Sequence, residues 1–291
     1  MEGKVECMYQ DHLGLVTVGI GNLIDSENAA WATRNYGAPF VHKSDPSIQA
    51  SEADVRAEWR RVKFDPSLKG NWQRARQVTT LQLTDAGIVN LLLQKMDEFE
   101  QTLKQVTEFF PLDDWPADAQ LALLSMAWAM GPGFAHGGRW PNFRATCAAQ
   151  DWISAVTHCN MANTWLMKRN AVNRGLFRNA AWVVTEGRDP TSLYIAIPGR
   201  RPKLELGAKD SDHAGQGFDS DDSVSTAQGF LQWLGFYGGK ISGEFDAGTE
   251  LAVGTFQQSE NRLAAAMGGF AVDYIIGPTT WAALGYVVPR A

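Results

Sequence analysis

Ala117–Met130 (ADAQLALLSMAWAM) constrains the fold more than any other stretch, because it is apolar on nearly every side and stops at Gly131-Pro132-Gly133. A helix apolar all round has no face to give to water and must be wrapped by other elements. The chain is therefore predicted to build a mainly helical domain around this segment. The segment also falls short of the roughly 18–20 residues a membrane span needs, so a soluble protein with no membrane partner is expected.

Local signals fill in the rest of that domain. Ser51 followed by Glu52 and Asp54 reads as an N-cap with acids in the first turn, opening a helix to about Val62. Thr84 and Asp85 open a longer one, with Ile88, Leu91, Leu92, Met96, Phe99 and Leu103 at helical spacing to about Val106. Helical stretches are predicted at 143–160 and 174–185. Residues 15–23 (LVTVGIGNL) suit a strand and tight turn. Residues 1–195 thus read as one α+β, mainly helical domain with a small strand-bearing region at its start.

Over residues 197–223 the pattern changes to Gly, Pro, Asp and Ser with little apolar periodicity, and a solvated linker is predicted at 196–222. Its five aspartates, Asp210, Asp212, Asp219, Asp221 and Asp222, would keep it open. Beyond it, 223–291 reads as a small three-helix module, with helices near 223–234, 249–265 and 279–284. Residues 241–249 and 272–281 echo each other, each a Gly-containing turn followed by Thr at a helix start.

Charge and cysteine content exclude several functions. Residues 1–200 carry 20 basic and 21 acidic side chains, while 201–291 carry 6 and 11, so no basic footprint for nucleic acid exists in either part. Cys7, Cys147 and Cys159 lack any Cys-x-x-Cys spacing, and the five histidines are scattered. No metal and no cofactor are expected. No cationic start with an apolar run follows Met1, so no secretory signal peptide is read.

Chemistry concentrates at the beginning of the chain, in Glu2-Gly3-x5-Met8-Tyr9-x-Asp11-x2-Gly14-x2-Thr17-x-Gly19-x-Gly21. The spacing is read as a carboxylate on a short helical stretch, a second in the turn after it, and a threonine on the first strand of a glycine-rich hairpin. Two carboxylates across a cleft suit hydrolysis of a glycosidic bond: one protonates the leaving oxygen and the other activates water. Spacing alone leaves open that these are ordinary solvated acids.

This string resembles the catalytic signature of phage-type lysozymes (glycoside hydrolase family twenty-four), Glu-Gly-x5-Tyr-x-Asp-x2-Gly-x2-Thr-x-Gly-x-Gly-His, with Asn22 in place of the final His. The resemblance implies that Glu2 is the general acid, that Asp11 activates the attacking water and that Thr17 helps to place it. It also implies inverting hydrolysis of the β-1,4 bond between N-acetylmuramic acid and N-acetylglucosamine. Ala117–Met130 is similar to the family's central helix, and Trp165, Arg169, Asn170 and Arg174 to its closing helix. The longer insertion at 35–80 resembles lysozyme domains of secreted antibacterial effectors. A general acid needs packing to raise its pKa, so the natural chain is expected to continue upstream of Met1. Glu6 is the fallback acid.

The tail is similar to peptidoglycan-binding domains through Gln232, Leu234, Gly235, Tyr237, Gly243, Phe245, Thr249, Ala252, Val253, Phe256, Gln257, Asp273, Gly277, Pro278, Thr280, Trp281 and Leu284. Most of these read as core or turn residues. Tyr237, Gln257 and Asp273 are the candidate peptidoglycan-binding residues. Of the eleven tryptophans, Trp72 and Trp140 are the surface candidates for sugar stacking.

The expected protein is a monomeric peptidoglycan hydrolase, made in the cytoplasm and acting on the periplasm or wall of target bacteria. Phage lysis or a secretion machine would deliver it, with an immunity protein as a further partner if it is an effector. A non-catalytic wall-binding protein and a lytic transglycosylase are the alternatives.

Overall fold

The computed structural model describes residues 3–163, 166–194, 201–213, 222–263 and 271–285. Two compact units divide it, Met1–Glu98 and Phe99–Ala291. The division falls within the helix Asp85–Leu103. Among the described residues no helix is long and apolar enough to cross a membrane.

In the first unit, β1 (Val5–Gln10), β2 (Val16–Gly19) and β3 (Asn22–Leu23) form an antiparallel sheet in the order β1-β2-β3. The helical stretch expected after Glu2 is instead β1, which runs directly into the Asp11 turn, so Thr17 lies on the second strand of the sheet. A register shift between Val5 and Tyr9 lets the consecutive Cys7 and Met8 both face inward, hiding the period-2 signal a strand ordinarily shows. Helix α1 (Glu27–Ala32) follows, then a two-stranded pair of β4 (Val41–His42) with β5 (Leu81–Gln82). Between these lie α2 (Glu52–Phe64) and α3 (Trp72–Val78). The predicted cap of α2 forms a full capping box, with Ser51 Oγ accepting from Asp54 N and Asp54 accepting from Ser51 N. Met8, Val16, Val18, Val55, Trp59, Val62 and Leu68 join one core, and Trp59 Nε1 donates to Ile24 O at 2.8 Å.

Helix α4 (Asp85–Leu103) crosses from the first unit to the second. The second unit continues with α5 (Ala117–Met130), α6 (Pro141–Ala148), α7 (Trp152–His158), α8 (Met167–Thr185), α9 (Ser223–Trp233), α10 (Ala247–Leu263) and α11 (Pro278–Leu284). The apolar α5 packs on α8 inside an aromatic cluster that includes Phe109, Trp115, Phe143, Trp152 and Phe177. Trp152 and Phe177 stack with centroids 6.2 Å apart. The predicted helix over 143–160 is two, α6 and α7, parted by Gln150 in the left-handed region and the Asp151 cap.

Helices α9, α10 and α11 close around Val224, Leu231, Phe245, Val253, Phe256, Trp281 and Leu284. Two elements outside the expected module complete that core: Ala171 from α8, and Leu204 from the stretch read as linker. Leu204 exchanges both backbone hydrogen bonds with Ile276 (3.1 and 2.9 Å), and Pro202 O accepts from Trp281 Nε1 at 2.8 Å. Asp210 holds the start of α9, accepting from Val224 N at 2.6 Å and from Ser225 Oγ at 2.6 Å. Residues 201–213 are therefore part of the module and not a solvated tether. Of the rest of the predicted linker, 196–200 and 214–221 lie outside the described residues.

Candidate functional site

The β1–β2 hairpin carries two of the three predicted catalytic residues. Gly14, in the left-handed region at φ 84°, turns the chain. Asp11 Oδ1 accepts from both Leu13 N and Leu15 N, each at 2.8 Å, and Asp11 N donates to Leu15 O at 2.9 Å. These bonds make Asp11 the organiser of the turn and leave its Oδ2 out of it.

The register then fixes what faces what. Gln10 pairs with Val16 and Tyr9 with Thr17, while Thr17 pairs with Leu23 of β3. Gln10, Val16 and Val18 face the core, where the Gln10 amide donates to Val62 O. Alternation places Tyr9, Asp11, Thr17 and Leu23 on the other face, where Tyr9 also packs against the core. Asp11 and Thr17 are diagonal cross-strand neighbours there, a placement that separates Cα atoms by about 7–8 Å. Thr17 is nearly buried, with Oγ1 directed at Leu15 O at 3.3 Å.

Glu2 lies outside the described residues. Glu6 pairs with Arg76 at 2.6 Å. Burial raises its carboxyl, but the Arg76 hydrogen bond and charge outweigh that and hold it below the usual carboxylate range. Such a group stays ionised and is unsuited to donate a proton at neutral pH. Asn22, at the departure from the signature, is buried and closes the tight turn, its Oδ1 accepting weakly from Ile20 N.

Arg169, Asn170 and Arg174 hold α8 in place. Arg169 donates to Ser125 O and Oγ, Asn170 exchanges bonds with the backbone of Met161, and Arg174 pairs with Glu260. Trp165 lies outside the described residues. Trp72 is partly exposed with the Arg76 guanidinium over its ring, whereas Trp140 meets Phe134 and Phe143 edge-on.

The module is built on two equivalent glutamines. Gln228 Oε1 accepts from Ser242 N and Gly243 N, and its Nε2 donates to Glu244 O and Thr249 Oγ1, both at 2.9 Å. Gln257 repeats the pattern: Oε1 accepts from Asp273 N and Tyr274 N, and Nε2 donates to Ile275 O and Thr280 Oγ1. The sequence echo is thus a structural repeat, each turn clamped by a fully buried amide. Gln257, expected at a ligand, has both polar atoms engaged inside the fold and no surface to offer. Tyr237 is nearly buried too, its hydroxyl donating to Lys240 O at 2.9 Å. Asp273 is exposed; its Oδ1 accepts from Gln257 Nε2 and Ile275 N, and Oδ2 makes neither bond.

Three features escaped the sequence reading. Gln228 was findable from the repeat, since it precedes its turn as Gln257 precedes its own. Asp118, the lone charge in Ala117–Met130, is buried and accepts from Asn179 Nδ2 at 2.8 Å and Tyr194 N at 3.0 Å. Burial pushes its carboxyl up to about 6 against those bonds. Glu260 sits fully buried between Arg174 and Arg178. Among the described residues no cluster of three or more His, Cys, Asp or Glu is placed to hold a metal.

Two glutamine-clamped turns, each leading into a helix, thus organise a small helical module. Residues 220–284 match the family described as "Putative peptidoglycan binding domain", and the C-terminal part of the chain carries a peptidoglycan-binding domain. No curated protein and no solved structure matches the chain.

Proposed function

We propose that the protein is a peptidoglycan hydrolase of the lysozyme type, which holds the wall through its C-terminal module and cleaves glycan strands with its N-terminal hairpin. The observation that carries this reading is the diagonal placement of Asp11 and Thr17 across the hairpin, with Asp11 Oδ2 left out of the turn's bonds. In the proposed mechanism Glu2 gives its proton to the leaving glycosidic oxygen. Asp11 takes a proton from a water that Thr17 helps to orient, and attack from the far side inverts the anomeric centre. The enzyme would act in the periplasm or wall of target bacteria, released by phage lysis or by a secretion machine. In the second case a dedicated immunity protein would be its partner.

The wall-binding domain combined with Asp11's bonds in its own turn gives the second reading, a non-catalytic wall-binding protein in which Asp11 is purely structural. Asp11→Asn separates the two. The amide oxygen of Asn keeps both turn bonds while removing the charge that activates water. Release of soluble muropeptides from purified peptidoglycan should fall by roughly 10²-fold or more with the thermal midpoint unchanged. Glu2→Gln should do the same. Wild-type activity in both variants, or none in the parent, would sink the hydrolase reading. Mass spectrometry of the products separates hydrolysis, which adds a water, from transglycosylation, which forms an anhydro-sugar.

A further inference from the structure

The two halves of the module's repeat differ at the second clamped residue of the turn. Gly243, in the first turn, has φ 71°, and the equivalent place in the second turn is Tyr274, held at φ 62°. A left-handed tyrosine is a strained choice where glycine costs nothing. The partner position three residues before each clamping glutamine differs as well. In the first half it is Ser225, and the space beside it is filled by the Asp210 carboxylate, which a Cβ on Gly243 would meet. In the second half it is Gly254 of α10, and the Tyr274 ring lies so close across it that any Cβ there would overlap the ring. The second half therefore combines a strained aromatic with the one residue flat enough to carry it. Backbone strain of this kind clusters at ligand-binding sites.

What surrounds the ring indicates the ligand. Tyr274 is 39% exposed, and Leu251, one helical turn before Gly254, is 66% exposed. Asp273, adjacent in the chain, keeps Oδ2 outside its internal bonds. A flat apolar ring bordered by one hydrogen-bond acceptor fits a pyranose, whose C–H face lies on the ring while its hydroxyl and N-acetyl N–H groups donate sideways. The Asp273 charge disfavours the carboxylate-bearing stem peptides of peptidoglycan.

We propose that Tyr274, flanked by Leu251 and Asp273, is the stacking platform on which the module receives a saccharide unit of the peptidoglycan glycan strand. This rests on the module's being a peptidoglycan-binding domain. The test is co-sedimentation of the full chain, on ice, with purified peptidoglycan sacculi, intact and after an amidase has stripped their stem peptides. Wild-type protein should pellet with both. Tyr274→Gly restores the residue of the first repeat and relieves the strain, so its thermal midpoint should hold while its Kd rises about tenfold. Tyr274→Phe should bind within about twofold of wild type, because stacking needs the ring and not the hydroxyl. Leu251→Ser, at an exposed site that folding does not need, should weaken binding about threefold and serves if Tyr274→Gly folds poorly. Undiminished binding by Tyr274→Gly, or by Leu251→Ser in its stead, would overturn the platform. Failure on stripped sacculi alone would overturn the saccharide. Failure of wild type on intact sacculi would overturn the wall-binding reading itself.

Discussion

Arg174 Nε and Glu260 Oε2 lie 2.7 Å apart with both side chains almost wholly buried, 1% and 0% exposed. Arg178 reaches the other carboxylate oxygen of Glu260 and also donates to Ala283 O. One carboxylate from α10 thus holds two guanidinium groups from α8. Such a triad tolerates no partial removal, because each lost partner leaves a charge away from water. Glu260→Ala should cost about 3–5 kcal/mol. Urea unfolding of the full chain checks this, and a loss below about 1 kcal/mol would mean that water reaches the arginines.

Gly175 of α8 faces the backbone of Ala282 so closely that an added Cβ would overlap its carbonyl oxygen. In an exposed helix Gly→Ala is stabilising by about 1 kcal/mol. Here Gly175→Ala should destabilise instead, by about 2 kcal/mol or more, as α8 and α11 are forced apart. A raised thermal midpoint would contradict the close packing of the two helices.

The clamping glutamines should act locally. Gln228→Ala leaves several buried polar groups unpaired at about 1–3 kcal/mol each, and so does Gln257→Ala. Hydrogen exchange should show amide protection lost at 242–243 in the first variant and at 273–274 in the second. Loss at both turns in either variant would mean that the repeat is one cooperative clamp.

Asp118 gives a pH dependence of defined sign. Its folded carboxyl titrates at about 6, raised by burial above the usual value. The folded state therefore holds the proton more tightly than the unfolded chain. The resulting stabilisation is complete below about pH 4 and is lost as pH rises through about 6. Asp118→Asn cannot titrate. The stability of wild type relative to Asp118→Asn should fall by on the order of 2–3 kcal/mol from pH 4 to pH 7. A difference that stays flat across that range would place the titration elsewhere.

Features with local causes could be read from the sequence. Ser51 and Asp54 announce their capping box within four residues, and Ala117–Met130 has the bounds its composition implies. The strand and tight turn expected at 15–23 are β2 and β3, whereas the strand β1 that carries the chain into the Asp11 turn was expected as a helical stretch. Three things were not legible, each because the cause lies elsewhere in the chain. The inward bulge at Cys7 and Met8 erased the alternation of β1. Leu204 and Asp210 find their partners in Ile276 and Val224, so a stretch polar by composition is ordered by contacts it does not encode locally. Gln257 looked like a ligand contact because its chemistry is polar, and only the repeat reveals that the turn consumes it.

The docking of α8 onto the module changes what can be inherited or transplanted. The segment that matches the family, 220–284, excludes Leu204, Asp210, Ala171 and both arginines. Cut at those limits it would expose Glu260 and open one side of its core. The evolutionary cassette and the physical one therefore have different borders. A graft of this wall-binding function onto another protein must carry the stretch 201–213 and supply a surrogate for α8, or redesign the face that α8 covers. In return, a chain held to the wall by its module presents its helical body at a set angle, as a bracket does, where a tether would let it swing.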